Sequence, residues 1–296
     1  MRDLPETEAV AQQWSDLDRL PADTLVERLL DAQAGVAQAV AAQSGAIAGV
    51  VEEVCARLRS GGRLHYVGAG TSGRLAVLDA AEMPPTFGTE PDLVTAHIAG
   101  GTTALVRAIE GAEDDADAGA QAMREIAPED AVIGVSASGG AAYVVAAIAR
   151  ARDRGAFTAA IVNSQGSALE RAAQRAIVVR TGAEPIAGST RLRAATAQKI
   201  VLNAISTATM VLLGKVYENL MVDVAATNAK LRARAIGLVE RIARVDTIHA
   251  ERLLESAGWN VKVAVVTSRR NCDVEEARDL LARHAGVLRD ALSSRA

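Results

Sequence analysis

Residues 63–74 read Arg63-Leu64-His65-Tyr66-Val67-Gly68-Ala69-Gly70-Thr71-Ser72-Gly73-Arg74. A short apolar run empties into a loop of glycines and hydroxyls, and a helical pattern follows from Ser72. A strand that delivers its chain into Gly68-x-Gly70 and then a helix aims backbone N–H groups at an anion. The loop is also a formal G-x-G-x-x-G, the pattern of dinucleotide binding, which additionally needs an acid at the end of the second strand for the ribose. There the chain reads His97-Ile98-Ala99-Gly100-Gly101, without an acid. A single phosphate is therefore favoured over a dinucleotide, with a ligand-free strand–helix turn as the plain alternative.

Four more β-type runs follow, at 93–98, 131–136, 158–162 and 176–180. Each is apolar on both faces, as a strand covered by helices on both sides must be. Helical patterns lie between them at 72–82, 103–112, 116–126, 141–154 and 167–174. This alternation predicts an α/β fold with a doubly wound, parallel, five-stranded sheet. Ligands of such sheets bind beyond the carboxyl ends of the strands. The residues at those ends are 68–73, Ala99–Thr103, Ser136–Gly140 and Asn163–Ser167, all rich in glycine and hydroxyls. Together they suggest a lining for a polar, anionic ligand. A serine that only caps its helix is the plain reading of Ser136 or Ser138 alone.

Outside the sheet, apolar positions Leu25, Leu29, Ala32, Val36, Val40, Ile47, Val51, Val54 and Leu58 predict a helix over 24–59, ending at Gly61-Gly62. Residues 189–243 read as continuous helix broken near Gly214. The remainder reads as three or four short helices, with starts at Asp246 and Asp273. The expected division is a domain at 1–245 and a small C-terminal helical bundle at 246–296.

The 296-residue chain is half hydrophobic but only 2% aromatic, so its core must be built from Ala, Val, Ile and Leu. A net charge of −4, without basic clusters, gives no footprint for nucleic acid or an anionic membrane. The polar N-terminus is no signal peptide and no apolar run spans a bilayer, which points to the cytoplasm. Two distant cysteines and four scattered histidines give no disulfide framework and no metal spacing.

Glu82, in Asp79-Ala80-Ala81-Glu82-Met83-Pro84-Pro85, ends the helix that starts at the first loop, because the prolines forbid its continuation. A carboxylate at a helix C-terminus is disfavoured by the macrodipole and asks for a reason, though a solvated side chain at a frayed end is the plain alternative. Among Glu110, Glu113, Asp114, Asp115 and Asp117, composition selects none.

The segments GAGTSGRLAVLDAAEMPPTFG, AIEGAEDDADAG, GSTRLRAATAQKIVLNAIST and GKVYENLMVDVAATNAKL, in this order and spacing, resemble the N-acetylmuramic acid 6-phosphate etherases. The resemblance runs from about residue 5 to the C-terminus and implies the flavodoxin-like sugar-isomerase (SIS) fold. It implies cleavage of the D-lactyl ether to N-acetylglucosamine 6-phosphate and D-lactate, without a metal or other cofactor. It further implies a homodimer with sites near the subunit interface and a C-terminal bundle of the ubiquitin-associated type.

By the same resemblance Glu82 is the proton donor and Glu113 the partner acid/base, converging on opposite sides of the sugar. Phosphate is expected at Gly70, Thr71, Ser72, Ser136, Ser138 and Gly139. Glu184, Ser189 and Thr190 are expected to line the sugar, while Arg191 or Lys199 faces the lactyl carboxylate or stays a solvated helix charge. One departure stands out: the family's S-G-R-T-P-Y is here Ser138-Gly139-Gly140-Ala141-Ala142-Tyr143, without the Arg, Thr and Pro. Two other classes share the fold, a sugar-phosphate-sensing regulator like glucokinase regulatory protein and a sugar-phosphate isomerase. The former resembles two SIS domains in tandem; the latter would lack the EMPPTFG motif.

Overall fold

Strands β1 (Leu64–Gly68), β2 (Val94–Ile98), β3 (Ala131–Ser136), β4 (Phe157–Val162) and β5 (Arg175–Val178) form one parallel sheet in the order β2-β1-β3-β4-β5. The computed structural model describes residues 5–224, 226 and 228–294. Every residue of β1, β3 and β4 is buried, whereas the edge strands β2 and β5 are partly open. Central strands covered on both faces give unbroken apolar runs, which is why these were readable without alternation. Gly68 pairs in register with Val135 of β3 on one side and Ile98 of β2 on the other.

The chain divides into two compact units, one of residues up to Ala81 with Asp92–Ser206, the other of Glu82–Pro91 with the chain from Thr207. In the first unit the predicted 24–59 helix is three: α1 (Ala22–Asp31), α2 (Val36–Ala41) and α3 (Ser44–Arg59). The first of the two breaks falls where Gly35 takes φ of +83°. The apolar spacing continues across it, so periodicity alone could not show it. Helix α4 (Gly70–Ala81) packs on β1 and β2, and α3 on β3, β4 and β5. Helices α6 (Ala116–Ala122), α7 (Ala142–Asp153) and α8 (Ala168–Ala172) cover the side presented by Val67, Val132, Ala160 and Val162. The helix expected at 103–112 is instead two 3-10 turns, Thr102–Leu105 and Ala112–Asp114. Gly100 and Gly101 before the segment and Gly111 inside it take positive φ, turning the chain at either end of it.

Between α4 and β2 lies α5 (Met83–Phe87), so Pro84 and Pro85 end α4 and open a new turn, the position where a missing N–H costs nothing. Helix α9 (Arg193–Leu212) closes the first unit through Ser206 and continues into the second. The helix breaks near Gly214 as expected, but the chain then makes a hairpin of β6 (Val216–Tyr217) and β7 (Leu220–Met221), where helix was expected to resume. Two-residue strands carry too little pattern to be read.

In the second unit α10 (Ala229–Val239) runs through a π-helical turn at Glu240–Arg244 into α11 (Thr247–Ser256), α12 (Val261–Arg270), α13 (Val274–Arg283) and α14 (Leu288–Ser293). The expected helix starts hold: Asp246 accepts the His249 N–H at 2.8 Å, and Asp273 forms a reciprocal capping box with Glu276. Such caps contribute about 1 kcal/mol each. Leu238, Val239 and Ile242, before the expected boundary at 245/246, share one apolar cluster with Ala250, Leu254 and Leu281. Lys262, almost wholly buried, donates to Asp223 Oδ2 at 2.6 Å and to the Gly286 carbonyl at 2.8 Å, fastening the segment after the hairpin to this bundle. Among the described residues no single helix is long and apolar enough to cross a membrane.

Candidate functional site

Strand order makes the carboxyl ends of β1 and β3 the switch point of the sheet, because connections from these neighbouring strands leave in opposite directions. The loops 68–73 and 136–140 meet there, each opening a helix. The glycines of the first loop do different work. A Cβ on Gly68 would lie 2.6 Å from the Gly73 nitrogen, and one on Gly73 would lie 2.6 Å from Ile98 Cγ1 and 2.9 Å from the Gly68 carbonyl oxygen. These two let α4 start flush against β1. Gly70, at φ of +53°, has open space where its Cβ would be, leaving its backbone accessible to a ligand.

Thr71 and Ser72 occupy the first turn of α4, Thr71 half-buried and Ser72 buried. The Ser72 hydroxyl donates to Gln198 Oε1 at 2.8 Å, Gln198 Nε2 donates to Asn163 Oδ1 at 2.9 Å, and Asn163 Nδ2 donates to the Val179 carbonyl at 3.0 Å. The second loop folds on its own hydroxyls: Ser136 Oγ accepts the Gly139 N–H at 3.1 Å and Ser138 Oγ accepts the Gly140 N–H at 3.3 Å. Gly139, at φ of +68°, could carry no side chain, since a Cβ would lie 2.3 Å from Ser167 Oγ. The structure thus brings Gly70, Thr71, Ser72, Ser136, Ser138 and Gly139 to one edge of the sheet.

Glu184 is 1% exposed, and its two carboxylate oxygens accept the N–H groups of Arg193 and Ala194, each at 2.9 Å. It caps α9, where a negative charge is favoured by the helix dipole. Both oxygens of the carboxylate expected to line the sugar are therefore engaged at the start of α9. Ser189 and Thr190 are half-buried in the tight loop before α9, where the Ser189 N–H donates to the Ile186 carbonyl. Arg191 and Lys199 are exposed.

Glu113 stands exposed on the 3-10 turn that precedes α6, whose N-cap is Asp115. Its neighbour Ala112 lines a cavity of about 600 Å³ at the carboxyl end of β2, with Gly100, Glu110, Asp115 and Tyr143. Burial, with Asp115 nearby, pushes the Tyr143 phenol up. Glu82 is exposed at the junction of α4 and α5 and belongs to the second unit, Glu113 to the first. Arg74 donates to the carbonyls of Leu105 and Arg107, both at 3.2 Å, fixing the segment that leads to Glu113. Among the described residues no group of three or more His, Cys, Asp or Glu side chains is disposed to hold a metal ion.

Gln198 and Asn163 were not singled out by sequence reasoning. Asn163 lay in one of the four suspect loops; Gln198 carried no signal beyond its place in a family motif.

Two family models match, the glucokinase regulatory protein N-terminal SIS domain over residues 46–152 and the SIS domain over 108–208. The chain is 44% identical over 294 residues to N-acetylmuramic acid 6-phosphate etherase of Halalkalibacterium halodurans, covering 99% of both chains. It is 47% identical over 288 residues to the protein of that name from Rubrobacter xylanophilus, covering 97% of this chain and 95% of the relative. In fold it is similar to a candidate phosphosugar isomerase from Bacteroides fragilis, with a TM-score of 0.52 and 18% identity over 67% of this chain and 95% of the other. The phosphoheptose isomerase of Francisella tularensis gives a TM-score of 0.50 and 19% identity over 67% and 99%.

Proposed function

The chain belongs to the N-acetylmuramic acid 6-phosphate etherase family, and we propose that Glu82 and Glu113 carry out its elimination chemistry on a sugar held through its 6-phosphate at the switch point. What supports this reading is the identity of 44–47% with etherases over nearly the whole chain, beside the resemblance of the motifs that contain Glu82 and Glu113. The protein is an etherase that releases D-lactate and N-acetylglucosamine 6-phosphate from N-acetylmuramic acid 6-phosphate.

An ether is a poor leaving group, so direct displacement by water is slow. Once the sugar ring opens, the C1 aldehyde acidifies the proton at C2. Glu113 takes that proton, the C3–O bond breaks with its electron pair on the lactyl oxygen, and Glu82 protonates the leaving oxygen. Water then adds to C3 of the resulting double bond and a proton returns to C2. A positioned general acid and base typically contribute roughly 10²–10⁴-fold each. The phosphate lies against the first turn of α4 and the 136–140 loop, where N–H groups and hydroxyls converge. Ser189 and Thr190 line the sugar.

The reading includes a homodimer, a cytoplasmic place and a bundle of the ubiquitin-associated type at 246–296. The exposed apolar side chains Val26 and Leu30 on α1 are consistent with a further partner surface. A purely sensing role is not favoured: the regulatory-protein match covers residues 46–152, whereas etherases match 95–99% of the chain. Incubation with N-acetylmuramic acid 6-phosphate tests the reading. Stoichiometric D-lactate is expected; binding without lactate, or conversion of an aldose to a ketose, would sink it.

A further inference from the structure

The hydroxyls at the switch point are committed in opposite senses. Ser136 and Ser138 accept N–H groups of their own loop, so those bonds leave their O–H hydrogens uncommitted. Ser72 gives its hydrogen away, and the direction is forced. The Val179 carbonyl can only accept, so Asn163 must turn Nδ2 toward it. Asn163 Oδ1 is then left to accept from Gln198 Nε2, and Gln198 Oε1 to accept from the Ser72 hydroxyl. Ser72, Gln198 and Asn163 are 8%, 1% and 0% exposed, and a buried polar group that loses its partner is costly. A phosphate monoester is largely dianionic at neutral pH and only accepts hydrogen bonds. Ser72 has no hydrogen to offer it.

We infer that Gln198 is the positioning residue of this loop: through Ser72 it fixes the first turn of α4, so that phosphate is held by the Thr71 hydroxyl and the N–H groups of that turn, not by the Ser72 hydroxyl. The inference rests on reading loop 70–72 as the phosphate cradle. It makes Asn163 and Gln198 parts of one rigid line that begins at a main-chain carbonyl and ends beneath the ligand.

Two models of Ser72 differ in sign. If Ser72 were a direct donor to phosphate, Gln198→Met would free its hydrogen and keep or tighten binding. If Gln198 positions the turn, Gln198→Met and Ser72→Ala each weaken binding, and the double variant is no worse than either single, since both break the same link. The probes are inorganic phosphate and N-acetylglucosamine 6-phosphate, titrated against the full chain, with the rate of D-lactate release measured in parallel. Affinity for both probes is expected to fall about tenfold in each single variant, the loss of one hydrogen bond, and in Gln198→Met the loss should appear in KM far more than in kcat. Unchanged or tighter binding by Gln198→Met, or additive losses in the double variant, would overturn the inference. Should Gln198→Met fail to fold, Asn163→Ala removes the next link, with the same fall and the same non-additivity expected. A wild type that binds neither probe overturns the cradle reading and this inference together; one that binds both, with Gln198→Met unaffected, overturns the inference alone.

Discussion

The phenol of Tyr66 donates to Asp79 Oδ2 at 3.0 Å, tying β1 to the last full turn of α4 inside the first unit. Asp79 also accepts from Asn203 Nδ2 at 2.6 Å and from Ser206 Oγ at 3.0 Å, so one buried carboxylate joins strand, helix and the middle of α9. Burial pushes the Asp79 carboxyl up, with the three donors working against that rise. Asp79→Ala leaves those donors without an acceptor. A loss of about 3 kcal/mol in unfolding free energy is expected, on the order of the cost of stranded buried polar groups. A denaturant midpoint that does not move would contradict it.

His65 contributes a loss of stability on the acid side, as does His97, which burial also lowers. Desolvation and the neighbouring His97 lower His65 to about 4, against the raising effect of Asp130, while Arg63 also disfavours its charge. Its native value lies below the unfolded 6.5, so between them the unfolded chain binds the extra proton. Stability is therefore lost as pH falls from about 6.5 to about 4. Asp79 acts in the opposite direction, because its raised value makes the native state bind the proton more tightly. Between pH 7 and pH 4 the wild type should lose roughly 3 kcal/mol more than His65→Gln. Denaturation at the two pH values measures this directly, and equal losses would refute it.

Glu184 should behave as a helix cap. Glu184→Ala exposes the first N–H groups of α9 to an unpartnered interior and is expected to cost about 2 kcal/mol. Glu184→Gln, which keeps one acceptor, should cost less. The affinity of the folded Glu184→Gln variant for N-acetylglucosamine 6-phosphate should stay within about twofold of wild type, because the carboxylate is spent on α9. A selective loss of sugar affinity with stability intact would restore the contact expected from sequence.

Glu82→Gln and Glu113→Gln should each lower the rate of lactate release by roughly 10²–10⁴. They should differ in isotope behaviour: in deuterated water Glu82→Gln still exchanges the C2 proton, whereas Glu113→Gln does not. Full activity in both variants would remove the proposed acid–base pair.

The sheet was legible because β1, β3 and β4 are buried on both faces, and the ligand edge followed from where their loops fall. Local chemistry at Asp246 and Asp273 was equally readable, since a cap and its partner lie within one turn. What escaped depends on longer range. The amides capped by Glu184 sit nine and ten positions downstream across an irregular loop. Ser72 and Gln198 are 126 positions apart, beyond anything periodicity can register. The 103–112 segment failed for the reverse reason: its apolar spacing was helical, but the chain turns at glycines of positive φ near both its ends and forms two short 3-10 turns instead.

The contact between Gly68 and Gly73 has a bearing on how this protein can be altered. Neither position tolerates even a methyl group while the other backbone stays in place, so neither route away from glycine has an easy first step. A mutagenesis library aimed at new sugar phosphates should hold these two and Gly139 fixed and vary Ala69 and residues 140–142. Changing either glycine moves the floor on which every other choice is judged.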